Sequence, residues 1–496
     1  MKKERKSGVL MPVASLPGRY GIGTMGKCSY DFVDRLCQGG QSYWQILPLG
    51  PTSYGDSPYQ SFSTFAGNPY FIDPDKLIEE GLLKAGEVAA YDFGSDPVRT
   101  DYKKLYDNRF KMLKKAFRRF DTKDKAYRDF VSSNRYWLED YALYMALKDA
   151  FSGRSLVEWK EPVRMRDKKV LDAYREKYAK DIEFYKFVQY EFMVMWKDLK
   201  KYANERGVSI IGDIPIYVAL DSADTWSCPE MFRLNEKGYP LAVAGCPPDA
   251  FSATGQLWGN PLYDWDRHEK TGYEWWIRRI KRCMELYDMV RVDHFRGFDE
   301  YYAIPYGDPT AEFGKWEKGP GIGLFKAVKD KLGDVDMIAE DLGFLTPSVI
   351  RLVKKTGYPG MKVLQFAFDP REESDYLPHN YTANSVVYTG THDNDTTVGW
   401  FKTLKPANRR MAMRYLNRKE FTSDRDIAHS FVKLAMSSVS NLCIIPMQDW
   451  LGLGAAARIN TPSTLGGNWV WRMKEGAFSA SLAKKMHDIT KLYGRL

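Results

Sequence analysis

The chain has 496 residues, of which 44% are hydrophobic and 28% are charged, a composition typical of a globular protein with a substantial core. Large-scale disorder is therefore excluded. The net charge of +9 is the balance of 73 basic and 64 acidic residues. Because these charges are mixed along the chain, we expect no nucleic-acid binding. No stretch approaches the roughly 18 consecutive apolar residues of a membrane helix, so we expect no membrane association.

The N-terminal residues and the cysteines indicate the compartment. Met1–Lys6 is basic, but Ser7–Gly21 contains Pro and Gly and no long apolar segment, so this is not a signal peptide. We therefore expect a cytoplasmic protein. Its six cysteines show neither a CxxC pair nor a metal-ligand spacing. We expect reduced thiols, most of them buried, and no disulfide framework.

Eight short, apolar, β-rich runs recur at wide intervals, and most of them end in polar or turn-forming residues. In chain order they are Gly8–Pro12, Ser42–Leu49, Val208–Val218, Met289–Phe295, Asp336–Leu342, Met361–Phe368, Ser385–Thr391 and Asn441–Met447. Parallel strands joined by helical crossovers have this spacing. The runs predict an α/β fold in which residues 1–496 form one (β/α)8 TIM barrel with helical and loop insertions at its carboxyl end.

The first insertion, residues 75–205, lies between the second and third runs and has a helical pattern. Apolar residues from Trp137 to Leu147 recur at roughly helical spacing and predict an amphipathic helix, and Lys186–Tyr202 shows the same pattern. We expect a helical subdomain packed on the barrel. A separate helical domain is the alternative, but neither end of the insertion has the composition of a flexible linker.

The second insertion, residues 235–265, lies between the third and fourth runs. Gly, Pro and aromatic residues crowd together in its sequence AVAGCPPDAFSATGQLWGNPLYDW, which we interpret as neither regular helix nor strand. We expect a long irregular loop that covers the substrate at the carboxyl end of the barrel, where such loops build active sites.

Acidic residues follow four of the predicted strands, at the end where a barrel places its catalytic groups. They are Asp213 in the third run, Asp293 in the fourth, Glu340 and Asp341 in the fifth, and Asp393 and Asp395 after the seventh. A carboxylate there loses hydration and is costly unless it is paired or used. Any one of these acids could instead cap a helix, but four strands that end alike indicate a common site.

The neighbours of three of these acids suggest different chemical roles. Arg291 and Asp293 are two residues apart on a strand, so their side chains point to the same side, and an adjacent guanidinium favours an ionised nucleophile. Glu340 follows three apolar residues, which favours a raised pKa and a general acid/base. Asp393, next to His392, would be a third carboxylate. Paired carboxylates of this kind carry out glycoside chemistry by double displacement.

Metal binding is the competing use for clustered Asp, Glu and His. The sequence contains no HExxH motif and no EF-hand loop, and none of its six His lies four residues from another. It also lacks a Gly-rich phosphate loop. We therefore expect neither a metal nor another cofactor.

Several blocks of sequence, spread over essentially the whole chain, resemble those of a known enzyme family. They are SGVLMPVASLPGRYGIG, LPLGPTSYGDSPYQSFSTFAGNPY, PPDAFSATGQLWGNPLYDW, RVDHFRG, IAEDLG, GTHDND, RINTPST and GNWVWR. The chain resembles the bacterial amylomaltases, or 4-α-glucanotransferases, relatives of the α-amylases. The resemblance implies a (β/α)8 barrel without the C-terminal β-domain of the α-amylases. It also implies maltooligosaccharides and α-1,4-glucans as substrates.

By this resemblance Asp293 is the nucleophile, Glu340 the general acid/base, and Asp393, not Asp395, the transition-state stabiliser. The family's substrate-binding positions match Tyr59, Asp213, Asp249, Gln256, Trp258, Arg291, His392 and Asn460. The aromatic ring of Tyr59 would stack under the sugar at the cleavage point, and Asn460 would lie near the acceptor.

The implied reaction is a retaining transfer of a glucan segment to the 4-hydroxyl of an acceptor sugar. An α-amylase-like hydrolase is the nearest alternative, because residue types do not decide whether a sugar or water is the acceptor. A glucan-binding protein without turnover is a second alternative, which the intact set of three acids disfavours.

Overall fold

The computed structural model describes residues 4–53, 55–248, 252–343, 345–419 and 422–496. Within these ranges the strands are β1 Lys6–Leu10, β2 Tyr43–Gln45, β3 Ser209–Pro215, β4 Ala242–Cys246, β5 Gln256–Pro261, β6 Met289–Asp293, β7 Glu300–Pro305, β8 Lys315–Lys318, β9 Met337–Ala339, β10 Gly360–Val363, β11 Ser385–Tyr388 and β12 Leu442–Pro446.

Eight of these strands close a parallel barrel. Its hydrogen-bonded order runs β1, β2, β3, β6, β9, β10, β11 and β12, and β12 pairs with β1. Each barrel strand overlaps one of the predicted runs, although β1 and β10 begin before theirs. The predicted (β/α)8 fold class is confirmed. Several runs extended too far: the run 361–368 yields only β10, followed by a short 3-10 turn at Leu364–Phe366. The apolar residues continue there because loop residues near the mouth of the barrel are also buried.

The barrel interior explains where the acidic side chains lie. Nine buried apolar side chains form one cluster from six of the eight barrel strands: Leu10, Ile211, Ile338, Met361, Val363, Val386, Tyr388, Leu442 and Ile444. Successive side chains of a strand alternate between its two faces. The residues two positions after Ile211 and Ile338 therefore also face inward, one layer nearer the carboxyl end, and they are Asp213 and Glu340.

The helices in the described ranges are α1 Lys27–Gln38, α2 Pro74–Glu79, α3 Ala85–Ala89, α4 Tyr102–Phe117, α5 Lys125–Ser133, α6 Arg135–Ala150, α7 Glu161–Arg164, α8 Lys168–Lys177, α9 Ala179–Glu205, α10 Ala223–Ser227, α11 Trp265–Lys270, α12 Glu274–Leu286, α13 Ile322–Leu332, α14 Pro347–Thr356, α15 Thr397–Thr403, α16 Pro406–Tyr415, α17 Asp424–Ser437, α18 Met447–Leu451 and α19 Ala480–Leu492. None of these helices is both long enough and apolar enough to cross a membrane.

Helices α2 to α9 follow β2 and precede β3. The helical pattern predicted in this part of the chain therefore corresponds to real helices, but α6 is not amphipathic. It packs against α5, α9 and α10 and is buried on all sides from Trp137 to Lys148, apart from two half-buried acids. Helix α9 is joined to the loop after β2 by a buried amide, since Gln189 both accepts from the Gly67 N–H at 2.7 Å and donates to its carbonyl at 2.8 Å.

The segment 235–265 contains regular strands, so the prediction of an irregular loop was wrong. Strands β4 and β5 pair antiparallel, and β4 also pairs with β7, which pairs with β8, in the order β5, β4, β7, β8. A Cβ on Gly245 would lie 2.2 Å from the Gln256 carbonyl oxygen. This glycine thus allows two strands to approach closely. In the sequence alone it looks the same as a glycine of an irregular loop. The pairing partner β7 comes later in the sequence, after β6.

The cysteines differ in part from the expectation. The six, all within the described ranges, form no disulfide with one another, but only Cys283 and Cys443 are buried, Cys37 is exposed and the rest are half-buried. The prediction that most of them are buried was therefore wrong. Burial raises the pKa of the Cys283 and Cys443 thiols to about 11, so these two side chains act as small apolar groups of the core.

Candidate active site

A buried arginine lies between two carboxylates at the mouth of the barrel. The guanidinium group of Arg291, on β6, donates to Asp213 Oδ2 at 2.6 Å and to Asp293 Oδ1 at 3.0 Å. Asp213 and Arg291 are register partners on β3 and β6, so the parallel ladder itself brings this pair together. Burial lowers the pKa of Arg291, but the two carboxylate charges outweigh it and raise that pKa well above its usual range. Arg291 is therefore a permanent cation.

The phenol of Tyr59 extends this network across the barrel mouth. Its hydroxyl donates to Asp213 Oδ2 at 2.8 Å and lies 3.4 Å from His392 Nδ1. The rings of Tyr59 and His392 are stacked, with centroids 5.0 Å apart and an interplanar angle of 17°. Tyr59 thus connects the loop after β2 to the loop after β11.

Asp393 is held through both of its carboxylate oxygens. Asn460 Nδ2 donates to Oδ1 at 2.6 Å, and His392 Nε2 lies 3.3 Å from Oδ2. Burial alone raises the pKa of Asp393, but the charge and hydrogen bond of His392 and the bond from Asn460 lower it to about 2. For His392 burial lowers the pKa, and Asp393 reverses this and raises it. The pair is therefore a carboxylate next to an imidazole that readily takes a proton.

Glu340 is fixed to the loop that follows β6. The His294 N–H donates to Glu340 Oε2 at 2.6 Å. The backbone adds two more bonds, from the Glu340 N–H to the Val292 carbonyl and from the Phe295 N–H to the Glu340 carbonyl, both at 3.1 Å. Burial, and then the negative charge of Asp293, raise the pKa of Glu340 to about 8. This carboxyl group therefore holds a proton at neutral pH.

The small antiparallel sheet packs against the loop that follows β6. The ring of Trp258, on β5, meets the ring of His294 edge to face, with centroids 4.9 Å apart. Its indole N–H donates to Gln256 Oε1 at 3.1 Å. Gln256 and Trp258, both predicted for the substrate-covering segment, thus lie next to the loop of His294, whose N–H donates to Glu340. Asp249, the third, lies outside the described residues.

The structure thus joins most of the predicted site residues in one set of contacts. Seven of them form one connected group of hydrogen bonds, ion pairs and ring contacts: Tyr59, Asp213, Arg291, Asp293, His392, Asp393 and Asn460. Glu340 adjoins this group through the backbone of His294. Asp341 does not, because its carboxylate accepts the Met361 N–H at 2.7 Å and so joins the start of β10 to the end of β9.

Comparison with known proteins gives a consistent result. Residues 11–479 match the family described as 4-alpha-glucanotransferase. The chain is 51% identical to the 4-alpha-glucanotransferase of Streptococcus pneumoniae, over 100% of this chain and 98% of that protein. It is 46% identical to that of Thermus thermophilus, over the full length of both.

The chain belongs to the 4-α-glucanotransferase family.

Solved structures agree with this assignment. The amylomaltase from Streptococcus agalactiae in complex with acarbose matches with a TM-score of 0.96 and 42% identity, over 99% of this chain and 100% of that one. The amylomaltase from Corynebacterium glutamicum, at 19% identity, matches with a TM-score of 0.79 over 99% of this chain and 74% of that one, which supports the fold. The predicted family and enzyme class are confirmed.

Three residues of this 4-α-glucanotransferase site were not among the predicted site residues. Trp469 lies against both Tyr59 and His392, with centroids 5.8 and 6.0 Å away. Arg458 donates to the Asp393 carbonyl at 2.7 Å, and His294 is described above. All three occur in the blocks that carry the family resemblance, GNWVWR, RINTPST and RVDHFRG. The signal was therefore present, but it did not distinguish them from their neighbours.

The Asp213–Arg291 pair gives a stability prediction. Its side chains are 0% and 4% exposed, and removing one partner of a buried ion pair costs about 3–5 kcal/mol. We expect Asp213→Ala to lower the free energy of unfolding by that amount in denaturant titration. The matched control is Asp172→Ala, whose ion pair with Arg175 has a similar 2.8 Å separation but is about half exposed, and which should cost less than ~1 kcal/mol. Equal losses in the two variants would contradict the prediction.

Proposed function

We propose that this enzyme cuts an α-1,4-glucan and transfers the cut segment to the 4-hydroxyl of an acceptor glucose or maltooligosaccharide. The observation that carries the proposal is the presence of three carboxyl groups at one barrel mouth in three different electrostatic environments. Asp293 accepts a hydrogen bond from the Arg291 cation. The pKa of Glu340 is raised to about 8, and that of Asp393 is lowered to about 2. A double displacement requires these three states.

Asp293 is the nucleophile in this proposal. Two carboxylates share Arg291, but Asp213 is 0% exposed whereas Asp293 is 28% exposed, so only Asp293 is available to a substrate. The guanidinium group orients its carboxylate by a hydrogen bond to Oδ1. The same positive charge stabilises Asp293 when it leaves as a carboxylate in the second half of the reaction.

Glu340 is the general acid/base. In the first half-reaction Asp293 attacks the anomeric carbon while the protonated Glu340 gives its proton to the leaving glycosidic oxygen. In the second half, the 4-hydroxyl of the acceptor attacks the glycosyl–Asp293 ester, Glu340 takes the hydroxyl proton, and Asp293 leaves as a carboxylate. Two inversions retain the anomeric configuration.

Asp393 stabilises the positive charge that develops at the anomeric carbon. Its lowered pKa keeps it ionised throughout the pH range of the enzyme. His392 and Asn460 fix the carboxylate in one orientation, so it does not need to reorganise during the reaction.

The other predicted residues bind the substrate in this proposal. Tyr59, at the base of the cleft, is placed to stack on a sugar ring, and Trp258 and Gln256 lie on the wall formed by β5. Asp249 belongs to the same covering segment. The S. agalactiae relative was solved with acarbose, which supports an oligosaccharide in this cleft.

We also propose that the enzyme works in the cytoplasm. Six cysteines outside any disulfide, one of them exposed, suit a reducing compartment, where disulfides do not form.

Maltotriose alone tests the proposed reaction. We expect the purified enzyme to form glucose and a ladder of longer maltooligosaccharides, while the concentration of reducing ends stays constant, since each transfer breaks one glycosidic bond and makes another. Product lengths are resolved by chromatography and reducing ends are measured over time. A rise in reducing ends without longer products would make the protein a hydrolase, and the absence of any product would make it a binding protein.

Two neighbouring aspartates test the role of Asp393. We expect Asp393→Asn to lower kcat at least ~10²-fold, as removal of a single group that stabilises transition-state charge does. The matched control is Asp395→Asn, because the Asp395 carboxylate accepts the adjacent Thr396 N–H at 2.7 Å and, in the described part of the chain, bonds to none of the site side chains. Its kcat should stay within a few-fold of wild type. Initial rates on maltotriose measure both. The reverse ranking would exclude Asp393 as the stabiliser.

The raised pKa of Glu340 predicts the alkaline limb of the pH profile. Glu340 must be protonated to act as an acid, so kcat/KM should be constant below its pKa and fall tenfold per pH unit above about 8. Initial rates on maltotriose between pH 5 and 10 give this limb. With α-maltosyl fluoride as donor the leaving fluoride needs no proton, so the same limb should disappear from kcat/KM. An alkaline limb that is identical for both donors would assign it to another group.

A further inference from the structure

We propose that Arg458 is a positioning residue, whose guanidinium group holds Asp393 and Asn460 in the arrangement that the transfer reaction needs. The proposal rests on the function proposed above for Asp393. Arg458 acts through main-chain carbonyl groups and not by contact with a reacting atom.

Asp393 needs such support more than the other two acids. Asp293 is the last residue of β6 and Glu340 directly follows β9, so the strand ladder of the barrel places both. Asp393 lies five residues beyond Tyr388, the last residue of β11. Its position therefore depends on contacts with side chains from other segments.

The contacts of Arg458 supply this support. Its Nη2 donates to the Asp393 carbonyl at 2.7 Å, and its Nε donates to the Asn460 carbonyl, also at 2.7 Å. Asn460 in turn donates its main-chain N–H to the His392 carbonyl at 3.2 Å and its side-chain amide to Asp393 Oδ1 at 2.6 Å. Three hydrogen bonds thus join residues 458–460 to residues 392–393, and Arg458 makes one of them. Its second bond, to the Asn460 carbonyl, fixes Asn460 within its own loop.

The shape of the guanidinium group, and not its charge alone, accounts for this arrangement. Nε and Nη2 lie in one rigid plane and bind two carbonyl oxygens at once, which a lysine ammonium on a flexible chain does not reproduce. In the part of the chain that the structure describes, Arg458 forms no ion pair with an acid. Both of its hydrogen bonds go to the backbone, which is the pattern of a clamp between two loops.

Loss of the clamp should therefore lower the rate and not the affinity. A displacement of about 1 Å in a catalytic group can cost roughly 10²-fold in rate. Arg458 holds Asn460, and Asn460 itself orients Asp393. Without Arg458 the loop after β12 would therefore separate from the loop after β11, and Asp393 would be displaced.

We expect Arg458→Met and Arg458→Lys each to lower kcat on maltotriose about 100-fold, with KM within about 3-fold of wild type. The matched control is Arg164→Met on α7. Arg164 is also half-buried and donates to main-chain carbonyls, those of Trp159 at 2.9 Å and Lys237 at 3.0 Å, and it contacts none of the site side chains. Its kcat should be unchanged. Thermal melts confirm that each variant is folded.

Two results would overturn the proposal. Wild-type kcat in Arg458→Met would show that Asp393 needs no clamp, and wild-type kcat in Arg458→Lys alone would show that only a positive charge is required. If Arg458→Met does not fold, Arg458→Lys, which retains the charge and most of the side-chain volume, carries the test.

A double variant identifies the group through which Arg458 acts. With α-maltosyl fluoride as an activated donor, Arg458→Met should cost nothing further in an Asp393→Asn background, because the positioned group is already lost. An additional 100-fold loss would show that Arg458 acts independently of Asp393 and would overturn the proposal. Full activity in Asp393→Asn alone would contradict the proposed role of Asp393. That result differs from the one that contradicts the role of Arg458, so the experiment tells the two apart.

Discussion

Arg291 carries a full positive charge at the mouth of the barrel, although its side chain is only 4% exposed. Such a charge is stable only with partners that replace its lost hydration, and Asp213 and Asp293 are those partners. One is its register neighbour on β3, and the other is two residues along its own strand. Because Asp213 also accepts the hydroxyl of Tyr59, which stacks on His392, the position of Asp393 depends in part on the same cation. The contacts of the site thus begin at one ion pair between adjacent strands.

The three acids then differ because their immediate neighbours differ. Asp293 bonds directly to the guanidinium group, whereas Glu340 receives a single backbone N–H and faces the charge of Asp293, which with burial raises its pKa. Asp393 receives an amide and an imidazole, which lower its pKa. One barrel mouth therefore holds a proton donor within reach of carboxylates, as a mechanism that needs both an acid and a nucleophile requires.

Much of this arrangement could be predicted from the sequence. The eight apolar runs, and the alternation of side chains between the two faces of a strand, are both recognisable within short stretches of the chain. Asp213 and Glu340 each lie two residues after a residue of the barrel core, so their inward direction could be predicted. The loop residues could not be placed in this way. Arg458 and Trp469 reach the site through contacts between segments distant in sequence. Gly245 looks like a loop residue until its antiparallel neighbours on β5 and β7 are known.

The small antiparallel sheet is built from segments on both sides of β6 in the sequence. Strands β4 and β5 precede β6, whereas β7 and β8 follow it. This sheet is consequently not a separable module. An engineered chimera that exchanged residues 235–265 alone would pair a foreign β4 with the native β7. Loop grafting to change the acceptor range therefore has to replace both halves together and keep Met289–Asp293 between them.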